Sequence, residues 1–195
     1  MLAKDGVDVN SKGRFNVTPI LRSLYAENKE GYVALLKLGA DPNVLDRDGF
    51  AAINRAAEKK DSLWLREALA HRGKPDLENT GNRFFPGQTP LFFAISESRA
   101  DNVRLLIAAG ADINHKSKNS NRPLDWASSR SREIVFVLVE AGVEYRYAGT
   151  DLVASMKASI RNGLFTLGED EKRWFQKTVE LLEKKGEKFD RADKR

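Results

Sequence analysis

Glycine recurs along this chain at nearly constant intervals. The glycines at positions 6, 39, 73, 110 and 142 are separated by 33, 34, 37 and 32 residues, and three of them begin the tail Gly-x-Asp-x-Asn. A second signature, Thr-Pro-Leu or a variant of it, recurs in the same phase at Thr18, Ala51, Thr89 and Arg122. Two short helices cannot bury their apolar faces alone, so a repeat of this length predicts units that stack on one another.

One complete unit lies between Gly87 and Asn114. Thr89 is placed to cap a helix through its hydroxyl, and Pro90 occupies the first helical position, where a missing N–H costs nothing. An outer helix follows, with its buried face at Val103, Leu106 and Ile107. Gly110 then ends that helix in the left-handed conformation, which other residues adopt only at a cost. We therefore expect an inner helix, an outer helix and a finger loop in each unit.

These signatures resemble the ankyrin repeat family over about residues 3–146. The resemblance implies an all-α solenoid of stacked helix-turn-helix units with β-hairpin or finger loops, about four recognisable repeats and a modified helical C-terminal cap. Members of the family usually carry a histidine after Thr-Pro-Leu, which ties neighbouring repeats together by hydrogen bonds. This chain has other residues there, namely Leu21, Asn54, Phe92 and Asp125. The departure puts the polar network in doubt and favours apolar packing in places.

The pattern divides the chain into four parts. We expect the tail of an incomplete N-terminal repeat at 1–10, the repeat array at 11–146, a modified capping repeat at 147–186 and a disordered charged tail at 187–195. One interpretation of residues 1–10 is that a preceding helix, together with an export signal, has been removed; the other is a natural, frayed start. The capping repeat is expected to contain a helix that opens near Thr150 and another that begins at Glu169.

The composition argues against several classes of function. A hydrophobic fraction of 41% and a charged fraction of 31% are ordinary for a folded protein. The chain has no cysteine and two distant histidines, His71 and His115, so it favours neither thiol chemistry nor a metal site. The stretch 46–49 looks like the start of a calcium loop but lacks the glutamate at the twelfth position. We therefore expect no enzyme activity, no cofactor and no metal.

The formal net charge is +5, with acidic and basic residues interleaved along the chain. This mild excess favours a protein partner over nucleic acid. No apolar run approaches the ~20 residues that a membrane span needs. We expect a soluble protein that acts on no small-molecule substrate.

Binding residues are expected on the fingers and the inner helices, because the resemblance implies that these form a concave face. Aromatic and arginine side chains on exposed loops are the types that anchor interfaces. They form an aromatic and basic stripe across three fingers, although some of the phenylalanines have the alternative of packing between adjacent fingers. The predicted partner-binding residues are Arg14, Phe15, Tyr25, Arg47, Asp48, Phe50, Arg83, Phe84, Phe85, Gln88, Lys116, Lys118 and Asn119.

The finger sequences are similar to those of bacterial ankyrin repeat proteins, many of which are immunity proteins against type VI secretion effectors such as toxic lipases. The resemblance implies a protein that binds a lipase-like toxin with its concave face and blocks the toxin's active-site cleft, in the periplasm. The alternative is a general adaptor or scaffold, or a host-directed effector, which would leave a cytoplasmic location open. The basic stripe predicts a partner with an acidic patch and an association that slows as the salt concentration rises.

Overall fold

The computed structural model describes residues 8–81, 86–147, 149–161 and 167–189. Within these ranges the chain forms ten α-helices, one turn of 3-10 helix at Arg14–Asn16 and two very short strands. The helices are α1 (Pro19–Tyr25), α2 (Lys29–Lys37), α3 (Ala52–Glu58), α4 (Leu63–Ala70), α5 (Pro90–Ser96), α6 (Ala100–Ala108), α7 (Pro123–Ser128), α8 (Arg132–Glu140), α9 (Leu152–Arg161) and α10 (Glu169–Lys184). The strands are β1 (Arg146–Tyr147) and β2 (Thr150–Asp151), which pair antiparallel.

The helices form two layers of a stack. Each inner helix packs on the outer helix that follows it, giving the pairs α1–α2, α3–α4, α5–α6 and α7–α8. The inner helices α1, α3, α5 and α7 pack on one another in order, as do the outer helices α2, α4, α6 and α8. Helix α10 continues the outer layer on α8. This is the all-α solenoid of helix pairs that the repeated signatures predict.

The core lies between the two layers. Helix α5 is buried from Pro90 to Ile95 because α3 and α7 flank it on both sides. In the outer layer Tyr32 is fully buried, its hydroxyl donates to the Trp64 carbonyl at 3.2 Å, and the two ring centroids are 5.0 Å apart. Burial of apolar faces between neighbouring units is the main favourable contribution to folding in such a stack.

The glycines after the outer helices behave as expected, with one correction. Gly39, Gly110 and Gly142 have φ of 91°, 87° and 89°, the left-handed conformation that glycine adopts without steric cost. In the second unit the left-handed residue is instead Arg72, with φ of 67°. A Cβ on Gly73 would lie 2.6 Å from a backbone oxygen of α4, so this glycine permits a close approach rather than a left-handed turn.

One hydrogen bond is repeated between the tails that follow the outer helices. An asparagine or aspartate side chain in each tail accepts from a backbone N–H of the next tail, at 2.7 to 2.9 Å. The pairs are Asn10 with Asp41, Asn43 with Lys74, Asp76 with Asp112, and Asn114 with Glu144. This bond gives the last residue of the Gly-x-Asp-x-Asn tail a structural role, and residues 8–10 make the same contact as the later tails.

The expected threonine caps are absent. Neither Thr18 nor Thr89 forms a side-chain capping bond, and both hydroxyls are buried without a hydrogen-bond partner in the part of the chain that the structure describes. The residues three positions later, Leu21 and Phe92, are fully buried and apolar, so their side chains offer no partner, and the Phe92 N–H donates to the Thr89 carbonyl at 3.0 Å. The prediction that the Thr89 hydroxyl caps its inner helix was therefore wrong.

The hydrogen-bond network between neighbouring repeats, which the missing histidines put in doubt, is replaced by apolar packing in only two of the four units. The side chain of Asn54 accepts from the N–H of Ala51 at 2.9 Å and donates to the Leu77 carbonyl at 3.1 Å, in the segment between the second and third units. Asp125 joins the fourth unit to the C-terminal cap, because its carboxylate accepts from the hydroxyls of Tyr147 at 2.7 Å and Thr150 at 3.0 Å. Leu21 and Phe92 replace the network by apolar packing.

The C-terminal cap differs from the prediction in two places. Thr150 lies in β2, so the helix expected to open there begins at Leu152. Residues 187–189, assigned to a disordered tail, are packed: the Glu187 carboxylate accepts from Arg146 at 2.6 Å and from the Tyr145 hydroxyl at 3.1 Å, and Phe189 is only 8% exposed. Residues 190–195 lie outside the described ranges.

Candidate functional site

We call one face of the stack the inner surface. It consists of the sides of α1, α3, α5 and α7 that face away from the outer helices, together with the finger loops that precede these four helices. The fourth residue of the inner helices α1, α3, α5 and α7 is Arg22, Arg55, Phe93 and Trp126, respectively. Because neighbouring inner helices pack in order, these side chains form one row across the stack. Two of them take part in pairs of a guanidinium and an aromatic ring: Arg55 lies 3.9 Å from the Phe50 ring centroid, and Arg130 lies 4.3 Å from the Trp126 centroid.

The first two fingers meet at an exposed phenylalanine. The Phe15 side chain is 47% exposed, and the guanidinium carbons of Arg14 and Arg47 lie 4.7 and 5.1 Å from its ring centroid. The backbone N–H of Arg47 donates to the Phe15 carbonyl at 2.9 Å, which joins the second finger to the first. We call Arg14, Phe15 and Arg47 the arginine clamp. The structure therefore places in contact three residues of the aromatic and basic stripe that was predicted across the fingers.

Tyr25 and Asp48 are also exposed on this side of the molecule. Tyr25 is 48% exposed, and its hydroxyl lies 3.4 Å from the Asp46 carboxylate in the second finger. The other oxygen of that carboxylate accepts from the N–H groups of Asp48 and Phe50, at 2.9 and 3.0 Å. The stretch that looked like a calcium loop thus forms a turn in which Asp46 is bonded to the backbone.

Phe50 is less available than a residue at a loop tip. Its ring is half-buried and meets Phe93 edge to face, with centroids 5.8 Å apart, while Arg55 covers it. The ring therefore packs on residues of the inner helices α3 and α5, and not between adjacent fingers as the alternative for the finger phenylalanines had it. Phe50 therefore supports the inner surface and offers only part of its ring to a partner.

Gln88 does not reach the surface. It is 3% exposed, its N–H donates to the Asn79 side chain at 2.8 Å, and its carbonyl accepts from the Asn79 N–H at 2.9 Å. A partner cannot reach a residue that is only 3% exposed, so the assignment of Gln88 to the binding set was wrong. Its place at the end of the third finger predicted exposure, but its backbone pairs with Asn79, in the segment before the finger.

The remaining predicted residues fall into two groups. Lys116, Lys118 and Asn119 are exposed on the fourth finger, where the Lys118 N–H donates to the Pro86 carbonyl at 3.1 Å. They are therefore attached to the end of the third finger and not to the arginine clamp. The other group lies outside the described residues and comprises Arg83, Phe84 and Phe85.

Several residues of the inner surface were absent from the predicted binding set, among them Arg22, Arg55, Glu58, Trp126 and Arg130. Trp126 and Trp174 are only half-buried, whereas Trp64 is buried. The signal that could have identified Trp126 is its position in the repeat, which matches that of the exposed Arg22. A tryptophan at an outward position can contribute a large area to an interface.

Glu58 is a carboxyl of the inner surface with a perturbed pKa. Burial raises the pKa of Glu58 above its ordinary 4.5, and the adjacent Glu97 adds to this, whereas Arg55 at 3.1 Å and Lys59 act in the opposite direction. A carboxyl with a raised pKa in the folded state destabilises the fold once it is ionised. Glu58 therefore lowers the stability of the fold as the pH rises above about 4.5.

Replacing Glu58 with glutamine should raise the free energy of unfolding near pH 7. The amide resembles the protonated acid, so the gain over wild type should disappear below pH 4.5, where the glutamate is protonated in both states. Urea denaturation of both proteins between pH 3 and 7 measures this difference. A gain of the same size at every pH would contradict the assignment to ionisation.

Each histidine lies near one glutamate carboxylate, His71 at 3.9 Å from that of Glu67 and His115 at 3.6 Å from that of Glu78, and each also bonds a backbone carbonyl. His71 bonds the Glu67 carbonyl and His115 bonds the Gly87 carbonyl, each at 2.9 Å. Among the described residues, the structure contains no group of three or more histidine, cysteine, aspartate or glutamate side chains that could hold a metal ion. No helix in the described ranges combines the length and the apolar character needed to cross a membrane.

Comparison with known sequences identifies ankyrin repeats, in three copies, at residues 53–148. Protein PhlB of Serratia liquefaciens is 32% identical over 124 residues, which cover 64% of this chain and 53% of PhlB. The nuclear factor NF-kappa-B p105 subunit of Gallus gallus is 28% identical over 114 residues, or 58% of this chain and 11% of that protein. The IkB-like protein of African swine fever virus (strain Badajoz 1971 Vero-adapted) is 36% identical over 92 residues, which cover 45% of this chain and 37% of that protein. The chain thus spans about half the length of PhlB and less of the others.

Proposed function

Because the chain is an ankyrin-repeat solenoid, and such repeats imply a protein-binding module, we propose that its inner surface holds another protein. The observation that carries this proposal is the location of the large apolar side chains that are exposed to solvent. Among the described residues these are Phe15, Tyr25 and Leu38, and the two most exposed, Phe15 and Tyr25, lie on the first finger and the first inner helix. Exposed aromatic side chains grouped with arginines are typical of residues that become buried in an interface.

The inner surface offers both contact area and positive charge to a partner. Phe15 with its two arginines, Phe50 with Arg55, and Trp126 with Arg130 repeat one chemical pattern along the stack. A guanidinium that stacks on a ring keeps its charge while the ring contributes apolar area. A partner with an acidic patch should therefore associate faster at low salt than at high salt.

The finer proposal is that this partner is a lipase-like toxin of a type VI secretion system and that the chain is its immunity protein. It is supported by the similarity of the finger sequences to those of bacterial ankyrin proteins with this role. In this mechanism the inner surface covers the toxin's active-site cleft or its lid, and the chain itself performs no reaction. An immunity protein of this kind would act in the periplasm, where such a toxin hydrolyses lipid.

The test is to purify the product of a lipase-like gene next to the gene for this chain and to measure phospholipid hydrolysis as the chain is added. We expect inhibition that is complete at an equimolar ratio. A Phe15→Ala, Tyr25→Ala variant should lose affinity by roughly a hundredfold or more, because each residue is expected to anchor the interface. Its thermal stability should stay close to wild type, since both side chains are half exposed.

The matched control is Lys37→Ala, an exposed change on the outer helix α2 that should leave inhibition unchanged. Formation of a complex without inhibition would support an adaptor or scaffold instead of an immunity protein. Full inhibition by the double variant would remove the inner surface from the mechanism.

A further inference from the structure

The arginine clamp is built on strained backbone. Phe15 and Asn16 have φ of 61° and 57°, in the left-handed region that bulky side chains rarely adopt. Three hydrogen bonds hold this conformation: Asn16 N–H to the Gly13 carbonyl at 3.0 Å, Gly13 N–H to the Val17 carbonyl at 3.1 Å, and Arg47 N–H to the Phe15 carbonyl at 2.9 Å. Strain of this kind persists only where surrounding contacts impose it, and it is concentrated at functional sites.

The strained turn keeps an apolar ring at the surface instead of burying it. Phe15 is 47% exposed, although the same chain buries Phe92 completely and leaves only 6% of Phe93 exposed. An ordinary turn sequence would avoid both the strain and the exposed ring. The turn is therefore better explained by a use for the exposed ring than by folding alone.

The two arginines of the clamp have no ion pair within the described part of the chain. The nearest acidic residues along the second finger are Asp46 and Asp48. Asp46 is bonded to two backbone N–H groups and to Tyr25, and Asp48 is exposed and pairs with neither arginine. Arg22 adds a third positive charge nearby, because its Nη2 would lie 3.5 Å from a Cβ on Gly13. The clamp thus presents unpaired guanidinium groups beside an apolar ring.

We propose that the arginine clamp receives an acidic segment of the partner in which a carboxylate side chain stands next to an apolar one. This inference rests on the proposed protein-binding function and specifies the chemistry of one part of that site. A guanidinium can donate two parallel hydrogen bonds to a carboxylate, while the ring of Phe15 contacts the neighbouring apolar side chain. Because the arginines already lie on the ring, they lose less side-chain freedom when the partner binds.

A single-stranded nucleic acid is the other anionic partner that stacks on an aromatic ring. The clamp is less suited to it because Asp46 and Asp48 lie in the same finger and would oppose a continuous phosphate backbone. A short oligonucleotide is therefore included in the test as a competing probe.

The test uses the full chain and three capped peptides of equal length. One peptide alternates glutamate with leucine, and in the other two glutamine or lysine replaces glutamate. We expect ¹H–¹⁵N spectra with the glutamate peptide to shift mainly at Arg14, Phe15 and Arg47, and the shifts to weaken as salt rises from 50 to 500 mM, about the range over which the Debye length falls severalfold. The glutamine and lysine peptides and an eight-nucleotide oligothymidine should produce no such shifts.

The variants separate the clamp from general positive charge. Arg14→Gln combined with Arg47→Gln should weaken binding of the glutamate peptide by roughly tenfold to a hundredfold. The control is Arg66→Gln, which removes an exposed arginine of the outer helix α4 and should change nothing. Equal binding of the glutamine peptide, tighter binding of the oligonucleotide, no shift at millimolar peptide, or full binding by the double variant would each overturn the proposal.

These outcomes are distinct from failure of the proposed function. If the Arg14→Gln, Arg47→Gln variant inhibits the toxin as well as wild type does, the clamp is not part of the interface, and the proposed protein-binding function still stands. A chain that binds the acidic peptide at the clamp but inhibits no toxin would keep the clamp and remove the immunity role.

Discussion

Replacing Asn54 with alanine should lower the free energy of unfolding by about 2–4 kcal/mol. Asn54 is fully buried, and its side chain bonds both the N–H of Ala51 and the carbonyl of Leu77. Alanine would leave the buried Ala51 N–H and the half-buried Leu77 carbonyl without these partners and would open a small cavity. Because Leu77 lies between the second and third units, the loss should weaken the stack at that point.

The measurement is equilibrium denaturation in urea, with Thr18→Val as the matched control. Thr18 is also fully buried at the start of an inner helix, but its hydroxyl has no hydrogen-bond partner among the described residues. Valine has nearly the same shape and avoids burying an unpaired polar group, so this variant should be as stable as wild type or more stable. Equal destabilisation by both changes would show that the Asn54 bonds contribute nothing specific.

Replacing Asp125 with alanine should destabilise the C-terminal cap, also by about 2–4 kcal/mol. The carboxylate accepts from the N–H of Arg122 at 2.9 Å, from the hydroxyl of Tyr147 at 2.7 Å and from that of Thr150 at 3.0 Å. These bonds hold the β1–β2 hairpin against α7. We expect amide hydrogen exchange to accelerate first in β1, β2 and α9, before the rest of the stack.

The same variant should lower the pKa of the Tyr147 phenol. Burial and the hydrogen bond to Asp125 hold that pKa well above its ordinary value, because a phenolate would be partly buried and would face the carboxylate. Removing the carboxylate removes one of these causes, and ultraviolet absorbance as a function of pH follows the change. Tyr147→Phe is the control for the effect on stability. It removes only one of the three hydrogen bonds to the Asp125 carboxylate, so it should lower the free energy of unfolding less than Asp125→Ala does. An unchanged phenol titration would contradict the assigned contact.

The sequence by itself determined the repeated helix pairs and most of their ends. A proline at the first position of α1, α5 and α7 and a left-handed glycine after α2, α6 and α8 are local signals, because they act through the backbone of their own residues. The stacking also follows from the sequence, since every unit repeats an apolar face that needs a neighbour.

Only the tertiary structure decided which side chains are paired, buried or free to bind. The clamp joins residues of two different fingers, Gln88 is buried with its backbone bonded to Asn79, and Asn54 and Asp125 find partners in the segments that follow them. Each of these outcomes depends on the distance between residues far apart in the chain or on the chemistry of a facing side chain, which a local pattern does not contain.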